Sequence, residues 1–499
     1  MIGVGSSTVH LVPRDSREAL TGGGISEFAR SFRGVELILL VFASVLVTCA
    51  LVLVEAEQNQ HLSPQLLYLG LGYLGLFVGV HFVVRASAPH ADPLMLPTVA
   101  LLNGLGLIMI HRLDLAWDLR AAQSGNPGQS VNALRQLAWT ALAAALLAVV
   151  LVKVGNHRVL SRYSYLCGVG GLALLLIPGV LPASVSEVNG AKLWLRLGQL
   201  SIQPGEFAKI LIIVFTASFL VAKRELFQGA GRRVLRMDLP RGRDLGPLVV
   251  AWVLSIGVLA LERELGASLL IFGVVLMMLY VATSRISWLL IGLVFFGVGC
   301  VVAFQAFGHV RDRVHTWLDP SADYNGGGYQ VSQALFGLGT GGMGGTGLGA
   351  GHPELVPLAN ADFIFSSIGE ELGLFGVSAI LVLYLLLVMR GLKTALLCRD
   401  PFGTLLASGL SFTVGLQMFI VVGGVTNLIP LTGLTTPFLS YGGSSLLANY
   451  VLVGLLLRIS DAAYQARSGP PPRARAPLAS AATQVVATRR PVWRRIRGA

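Results

Sequence analysis

The chain has 499 residues, of which 54% are hydrophobic and only 12% carry a charge at neutral pH. Its mean hydropathy of +0.72 is too high for a water-soluble core with a polar shell, so the composition excludes an ordinary soluble enzyme and indicates a polytopic membrane protein. The formal net charge of +12 does not indicate nucleic-acid binding, because the Lys and Arg residues lie mainly in short connections between apolar runs and in a C-terminal tail.

Twelve apolar runs follow one another along the chain, and each is close to the ~20 residues that an α-helix needs to cross a bilayer. They lie at about 37–54, 66–84, 94–111, 134–152, 164–182, 204–222, 246–261, 267–282, 288–306, 373–389, 402–423 and 444–459. The predicted fold is therefore an all-α polytopic membrane protein of about 12 transmembrane helices.

The positions of Lys and Arg predict which side of the membrane each connection faces, because cytoplasmic connections retain cations. Connections after the even-numbered runs hold most of them, whereas the stretch from Val314 to Met389 has none. Both termini are therefore expected in the cytoplasm. The predicted organisation is a cytoplasmic tail at 1–35, a transmembrane domain at 36–460 with a large extracytoplasmic loop at about 307–372, and a basic tail at 461–499 that is expected to be disordered.

The first polar stretch on the predicted outer face reads NGAKLWLRLGQLSIQPGEFAK and covers residues 189–209. Pro204 suits the first turn of a helix, and Glu206 suits the positive end of the helix dipole. Lys209 follows three residues later, within side-chain reach of Glu206. Two interpretations stay open. The segment is either a helix start with a local ion pair, or part of an electropositive pocket in which Lys209, with Lys192 and Arg196 close in sequence, binds an anionic, phosphate-bearing ligand.

The second polar stretch reads WLDPSADYNGGGYQ and covers residues 317–330. Asp319 precedes a proline and is typical of a residue that starts a turn. Asp323 stands close to three glycines, which allow the backbone to approach a ligand closely. Arg311 and Arg313, just before this stretch, can hold an anionic partner. A lone Asp in a loop is usually only solvated, so the spacing alone does not establish a catalytic base.

Polar residues continue along the same loop and into a third stretch. Asp362, Glu370 and Glu371 stand near the start of the next predicted helix, where acids fit either helix capping or contacts to a ligand. The third stretch, GGVTNLIPLTGLTTPFLSYGGSSLLANY, covers residues 423–450 and leads into the last apolar run. All three stretches are predicted on one face of the membrane, as a single site assembled from distant segments requires.

Four motifs occur in these regions in a fixed order. They are NGAKLWLRLG with QPGEFAK, RDRVHTWLDPSADYNGGGYQVSQ, DFIFSSIGEELGLFG and PLTGLTTPFLSYGGSS. Over roughly residues 189–460, the chain resembles the SEDS family (shape, elongation, division and sporulation), the membrane glycosyltransferases typified by RodA and FtsW. The ending TTPFLSYGGSSLLANY resembles the elongation (RodA) branch more than the division (FtsW) branch. The extra pair of runs ahead of the ten-span family core resembles actinobacterial members.

The resemblance implies an enzyme that polymerises lipid II into peptidoglycan glycan strands at the outer face of the bacterial cytoplasmic (inner) membrane, for cell elongation and shape. It implies that Asp323, and not Asp319, is the essential acid and acts as general base on the 4-hydroxyl of the incoming lipid-linked disaccharide. The anomeric configuration would invert, with undecaprenyl pyrophosphate as leaving group. Lys, Arg or a divalent cation such as Mg²⁺ or Mn²⁺ would meet the charge of this diphosphate, and no other cofactor is expected.

The motifs also supply residues that are expected to bind the substrates around Asp323. They are Lys209, Glu206, Trp194, Arg196, Gln203, Arg311, Arg313, Tyr329, Gln330, Asp362, Glu370, Ser440 and Ser444. Trp194 also fits an anchor at the membrane interface. Two positions depart from the family pattern, since Leu193 and Gly205 stand where the family often has a basic residue and a serine.

The family implies a class B penicillin-binding protein as partner, which would supply transpeptidation. Lipid II, the nascent glycan strand and membrane lipids are the other expected partners, and nucleic acid is not expected. A flippase that moves lipid II across the membrane is the main rival, because it would also use many helices, intramembrane charges and glycine-broken segments. A division-type (FtsW-like) polymerase and a non-catalytic scaffold of the cell-wall machinery are further alternatives.

Overall fold

The structure is a computed structural model that describes residues 15–59, 64–125, 130–188, 191–197, 200–224, 233–234, 237–238, 246–262 and 264–468. The tail that the sequence predicts to be disordered covers residues 461–499, and residues 469–499 lie outside this described part. The last helix ends at Ser468, so it includes residues 461–468.

The described residues fold mainly into α-helices. Those of the first half are α1 (Asp15–Asn59), α2 (Pro64–Ser87), α3 (Met95–Gln123), α4 (Asn132–Lys153), α5 (Val159–Arg162), α6 (Ser164–Val180), α7 (Ala183–Ser186) and α8 (Pro204–Ala222). Those of the second half are α9 (Gly246–Glu262), α10 (Leu265–Thr283), α11 (Ser287–Ala306), α12 (Gly308–Leu318), α13 (Tyr329–Gly341), α14 (Ile364–Leu397), α15 (Pro401–Val425) and α16 (Gly443–Ser468). A 3₁₀ turn covers Pro353–Leu355.

Short antiparallel hairpins complete the described secondary structure. β1 (Glu187–Val188) pairs with β2 (Ala191–Lys192), and β3 (Leu195–Leu197) pairs with β4 (Leu200–Ile202). A further pair joins β5 (Arg233–Val234) and β6 (Met237–Asp238). The first two hairpins occupy the connection between α7 and α8. The hydropathy pattern does not predict them, because strands of two or three residues are too short to show a period of two.

Within the described residues, ten helices are long and apolar enough to cross a membrane, and α6 and a part of α9 are shorter apolar helices. Together they coincide with the twelve predicted runs and confirm the all-α polytopic fold. Helix α1 begins at Asp15, inside the segment predicted as a tail, and its apolar span begins at Arg33.

Burial divides the helices into a central and a peripheral set. More than two thirds of the apolar windows of α3, α15 and α16 are buried, whereas α11 exposes side chains such as Leu293, Val294 and Val298. Exposed apolar side chains on a spanning helix face lipid, because the hydrocarbon interior of a bilayer replaces water as solvent. Helices α3, α15 and α16 therefore form the interior of the bundle, and α11 lies at its edge.

Helix α14 contains a break at Gly373, whose φ of 64° lies in the left-handed region that favours glycine. The backbone groups around the break pair with the preceding loop, since Leu374 N–H donates to Gly342 O at 3.0 Å and Thr346 N–H donates to Glu370 O at 3.0 Å. The predicted run at 373–389 begins at this break. The turns of α14 before it therefore belong structurally to the loop that follows α13.

Candidate active site

The three polar stretches singled out from the sequence meet at one end of the helix bundle. Gln203 N–H donates to Ser444 Oγ at 3.0 Å, which joins the first stretch to the third. Ser440 Oγ donates to Ala361 O at 2.6 Å, which joins the third stretch to the loop before α14. Arg313, on α12, donates from Nη1 to a backbone carbonyl of the third stretch, that of residue 431, at 2.5 Å. Trp317 Nε1, in the second stretch, donates to Asn427 O in the third at 3.0 Å. Together these contacts confirm the prediction that the stretches assemble on a single face.

The first turns of α8 hold a buried ion pair. Pro204 starts this helix, and Glu206 and Lys209 are three residues apart, so their side chains share one face. Lys209 Nζ lies 2.6 Å from Glu206 Oε2 and donates to Gln417 Oε1, on α15, at 3.0 Å. Gln417 Nε2 in turn donates to Thr435 O at 2.9 Å. The structure thus contains the predicted helix start with its local ion pair, and Gln417 connects the same ammonium group to the third polar stretch.

Glu264, Arg313 and Asp362 are three further ionisable side chains, and Glu264 interacts electrostatically with both members of this pair. Burial, and to a lesser extent the negative charges of Glu206 and Asp362, raise the pKa of Glu264 to about 8 against the opposing effect of Arg313 and Lys209. Burial also raises the pKa of Asp362 to about 6, although Arg313 counteracts this. At neutral pH the Glu264 carboxyl is therefore mostly protonated and that of Asp362 mostly ionised.

Arg313 supplies a cation to both of these acids. Burial lowers its pKa, while the charges of Glu264 and Asp362 act in the opposite direction. We call Glu206, Lys209, Glu264, Arg313 and Asp362 the polar cluster. Two cations stand there among three carboxyl groups, one of which is protonated near neutral pH, so the cluster can accept an anionic ligand without an excess of negative charge.

In the loop between α12 and α13, Asp319 has the turn-forming role that the sequence predicts. Asp319 Oδ1 accepts hydrogen bonds from Ser321 Oγ at 2.6 Å, Ser321 N–H at 3.0 Å and Ala322 N–H at 3.1 Å. These bonds, led by the one from the Ser321 hydroxyl, lower the pKa of the Asp319 carboxyl. Asp319 is thus a turn former that uses its acceptor oxygen within its own loop.

Asp323 is exposed and leaves one carboxylate oxygen without a partner inside the loop. Its Oδ2 accepts from Gly327 N–H at 2.8 Å, and its backbone carbonyl accepts from Gly328 N–H at 3.0 Å. A Cβ on Gly326 would collide with the Asp323 carboxylate, so the glycine lets the acid fold over the turn. No hydrogen bond or ion pair among the described residues links Asp323 directly to the polar cluster.

Helix α12 connects the Asp323 loop to the polar cluster. Trp317 Nε1 donates to Asn427 O at 3.0 Å, and Asn427 Nδ2 donates to Trp317 O at 3.1 Å, so the C-terminal end of α12 is fixed to the third stretch. Arg313 lies about one turn before Trp317 on the same helix. Asp323 therefore lies in the exposed loop that directly follows α12, the helix that carries Arg313.

Among the described residues, no hydrogen bond or ion pair joins the side chains of Arg311, Arg196 or Trp194 to this cluster. Arg311 is exposed, lies over the Phe304 ring at 5.8 Å and donates to Gln305 O at 3.2 Å, so the structure turns it towards the end of α11. Arg196 is exposed on β3. Trp194 is half-buried, and its backbone N–H donates to the α7 carbonyl of residue 186 at 3.3 Å.

Tyr329, Gln330 and Glu370 lie around α13 rather than in the polar cluster. Tyr329 and Gln330 are half-buried at the start of α13, and the Tyr329 ring packs edge-on against Tyr324 at 5.7 Å. Glu370 is buried and accepts from His352 N–H at 2.6 Å. Glu370 therefore organises the loop between α13 and α14.

The structure adds residues that the sequence did not single out. Glu264 lies in the short connection between α9 and α10, where an acid between two apolar runs is the signal that could have identified it. Gln417 is a polar residue inside an apolar run, which is a similar signal. Arg112 Nε donates to Glu371 Oε1 at 2.8 Å and its Nη2 donates to Gly351 O at 2.5 Å, with both charged side chains buried.

An apolar cavity of about 230 Å³ adjoins the polar cluster. Helices α9 to α12 and residues 429–432 line it, among them Trp252, Phe296 and Val314. Val314 follows Arg313 directly, and Thr432, which also lines the cavity, follows the carbonyl that binds Arg313. The site thus has a charged part and an apolar part side by side.

A bound hard divalent cation would need several oxygen ligands from the protein or its substrate. The described residues contain no group of three or more His, Cys, Asp or Glu side chains arranged to hold a metal ion.

Comparisons with known proteins point to one family. Residues 92–465 match the family model of FtsW, RodA and SpoVE, described as cell cycle proteins. The chain is 53% identical over 454 residues to the peptidoglycan glycosyltransferase RodA of Mycobacterium tuberculosis, an alignment that covers 91% of this chain and 96% of the relative. It is 33% identical over 374 residues to the stage V sporulation protein E of Bacillus subtilis, covering 74% and 96% of the two chains.

Solved structures agree with this assignment. A chain described under "Structural coordination of polymerization and crosslinking by a peptidoglycan synthase complex" superposes with a TM-score of 0.52 at 26% identity and covers 80% of this chain and 98% of the other. The Thermus thermophilus rod shape determining protein RodA superposes with a TM-score of 0.51 at 24% identity, over 74% of this chain and 96% of the other. The latter likeness concerns the fold alone.

Proposed function

Since the chain belongs to the SEDS family of FtsW, RodA and SpoVE proteins, it is a peptidoglycan glycosyltransferase, and we propose that the polar cluster and the Asp323 loop form its site for lipid II. The observation that carries this assignment is the contact between charged and apolar parts of one site. Arg313 belongs to the cluster, while its neighbour Val314 lines the apolar cavity. A prenyl diphosphate has the same two parts.

Each part of the site has a role in this proposal. Lys209 and Arg313 bind the diphosphate oxygens of the donor, because a cation shielded from water interacts strongly with a phosphate. The cavity of about 230 Å³ accepts the first segments of the prenyl chain. Protonated Glu264 and ionised Asp362 set the net charge, so that the cluster does not repel the donor.

Asp323 acts as the general base. The 4-hydroxyl of the incoming lipid-linked disaccharide attacks the anomeric carbon of the glycan chain, and its proton passes to the Asp323 carboxylate. The bond between the anomeric carbon and the diphosphate oxygen breaks, the configuration inverts and undecaprenyl pyrophosphate leaves. A positioned base contributes typically ~10²–10⁴-fold. The exposed carboxylate has one oxygen free for this role within its loop, and the glycines there allow a sugar to approach closely.

The same proposal covers cation dependence. The diphosphate charge is met by Lys209 and Arg313, and a divalent cation such as Mg²⁺ or Mn²⁺, if it takes part, arrives with the substrate. Polymerisation measured with and without a chelator, in the wild type and in an Arg313→Lys variant, separates the two sources of positive charge. A loss of activity with chelator in both proteins would show that the metal neutralises the larger share of the diphosphate charge.

The orientation of the chain in the membrane is inferred from its charge pattern, and its partner from its activity. We place the polar cluster on the extracytoplasmic side of the bacterial inner membrane, with both termini in the cytoplasm, because the loop that contains Asp323 is free of Lys and Arg beyond Arg313. A class B penicillin-binding protein is the proposed partner, since polymerised strands need crosslinking. The higher identity to RodA than to FtsW-type relatives supports a role in elongation.

An assay with defined components tests the function. The purified chain, with its transpeptidase partner and lipid II in liposomes, is expected to yield glycan polymer resolved by electrophoresis. Transfer of lipid II across the bilayer without polymer would instead assign a flippase, and binding without either would assign a scaffold. Depletion in cells distinguishes the branches, because loss of an elongation enzyme widens or rounds cells, whereas loss of a division enzyme blocks septation.

A further inference from the structure

A second cavity, with charged residues in its wall, lies at the opposite end of the helix bundle from the active site. It has a volume of about 180 Å³ and is lined by residues at the ends of α8 and α10 and at the start of α15. Helices α8 and α10 both begin at the active-site face, with Pro204 and Leu265, so their last residues lie at the other face. The cavity is therefore separate from the proposed lipid II site.

Two arginines supply the charged lining of this cavity. Arg224 follows α8 and Arg399 precedes α15, and both residues are exposed. Neither guanidinium group has a carboxylate partner among the residues that the structure describes. The planar guanidinium group of arginine fits phosphate oxygens in a bidentate manner, so both side chains are suited to contact an anion.

The acid next to Arg399 in sequence is engaged elsewhere. Asp400 Oδ2 accepts from Gly403 N–H at 3.0 Å and lies 3.2 Å from His157 Nε2. Asp400 Oδ1 lies 3.6 Å from Arg158 Nε. The Asp400 carboxylate therefore caps α15 and pairs with the connection between α4 and α5, and it does not neutralise the cavity.

The remaining walls are mainly apolar, which restricts the class of ligand. Val221, Val281 and Leu405 line the cavity beside the arginines. The cavity is several times larger than the ~30 Å³ that one water molecule occupies in the liquid, so it has room for a phosphate group with its ester oxygens. The lining residues lie where membrane-spanning helices end, at the depth of lipid headgroups.

We propose that this cavity binds the phosphate of an anionic phospholipid, with Arg224 and Arg399 contacting the phosphate oxygens and the apolar wall contacting the start of an acyl chain. Free inorganic phosphate has the same charged group but no acyl chain. The apolar wall favours the lipid, because a soluble anion would leave Val221, Val281 and Leu405 uncovered.

Native mass spectrometry of the full chain in a neutral detergent, titrated with phosphatidylglycerol, tests the proposal. The apparent dissociation constant of the first bound lipid is expected to rise about tenfold or more, or about 1.4 kcal/mol, in the double variant Arg224→Gln/Arg399→Gln. The matched control is Lys153→Gln/Lys393→Gln, which removes the same charge from exposed positions at the same face but outside the cavity. This control is expected to change the constant by less than about twofold, or about 0.4 kcal/mol.

The outcomes separate specific from general binding. Equal weakening in both double variants, or in neither, would overturn the proposal. Inorganic phosphate that displaces the lipid at equal concentration from the wild type would overturn the lipid assignment in favour of a soluble anion. Single variants Arg224→Gln and Arg399→Gln replace the double variant if it fails to match the wild-type thermal midpoint. Because the readout is lipid binding, it does not depend on polymerase activity.

Discussion

Replacing Lys209 by methionine tests both roles of its ammonium group, in stability and in catalysis. Methionine keeps most of the length of the side chain but removes the charge, which leaves the buried Glu206 carboxylate without the cation that lies 2.6 Å away. The Gln417 oxygen at 3.0 Å also loses its donor. Both members of the pair are nearly inaccessible, so we expect a destabilisation of about 3–5 kcal/mol, as is usual when one partner of a buried ion pair is removed.

A second substitution separates stability from chemistry. Glu206→Gln in the Lys209→Met background removes the unpaired charge, so the double variant should recover much of the lost stability, with a coupling of about 1–3 kcal/mol. Polymerisation of lipid II should stay about 10²–10³-fold below wild type in both proteins, because the leaving diphosphate has lost a cation. Thermal denaturation in detergent and a gel-based polymerisation assay measure the two effects.

The result that would refute this reasoning is a double variant that polymerises lipid II at the wild-type rate. Lys209 would then be a structural residue that only completes the start of α8. A Lys209→Met variant as stable as the wild type would contradict the burial of the pair itself.

Three further predictions concern neighbouring groups. Burial raises the pKa of Glu264 to about 8, so the folded state keeps a proton that the unfolded state loses above its ordinary value of 4.5. Stability should therefore decline as the pH rises from about 4.5 through 8, and Glu264→Gln should flatten that decline in thermal midpoints. Arg112→Met should cost about 3–5 kcal/mol, measured by thermal denaturation, because it leaves Glu371 buried and unpaired, and adding Glu371→Met should recover part of this loss. Arg313→Gln should lower the polymerisation rate by about 10²–10³-fold, whereas Arg311→Gln, on the same helix but turned towards α11, should change it by less than about threefold in the same assay.

The hydropathy and charge pattern predicts the helices, their order and the assembly of the polar stretches on one face. Local spacing also predicts the Glu206–Lys209 pair and the turn-forming role of Asp319, because side chains a few residues apart meet without any tertiary information. The predicted start of a run at Gly373 coincides with a break inside α14.

Long-range contacts cannot be predicted in the same way. Gln417 binds a lysine 208 positions away, and nothing in its own apolar run indicates the partner. Glu264 gains its raised pKa from burial beside groups on other segments, which depends on how the helices pack. The orientation of Arg311 away from the cluster, and of Arg313 into it, follows from which face of α12 packs against residues 427–431.

The most direct test of the central claim is the rate of lipid II polymerisation by Asp323→Asn in liposomes with the transpeptidase partner. Asparagine keeps the shape of the side chain and an oxygen that can accept from Gly327 N–H, but it cannot take up the proton. We predict a rate about 10²–10⁴-fold below wild type with an unchanged thermal midpoint. Polymerisation at the wild-type rate by this folded variant would contradict the assignment of Asp323 as the general base.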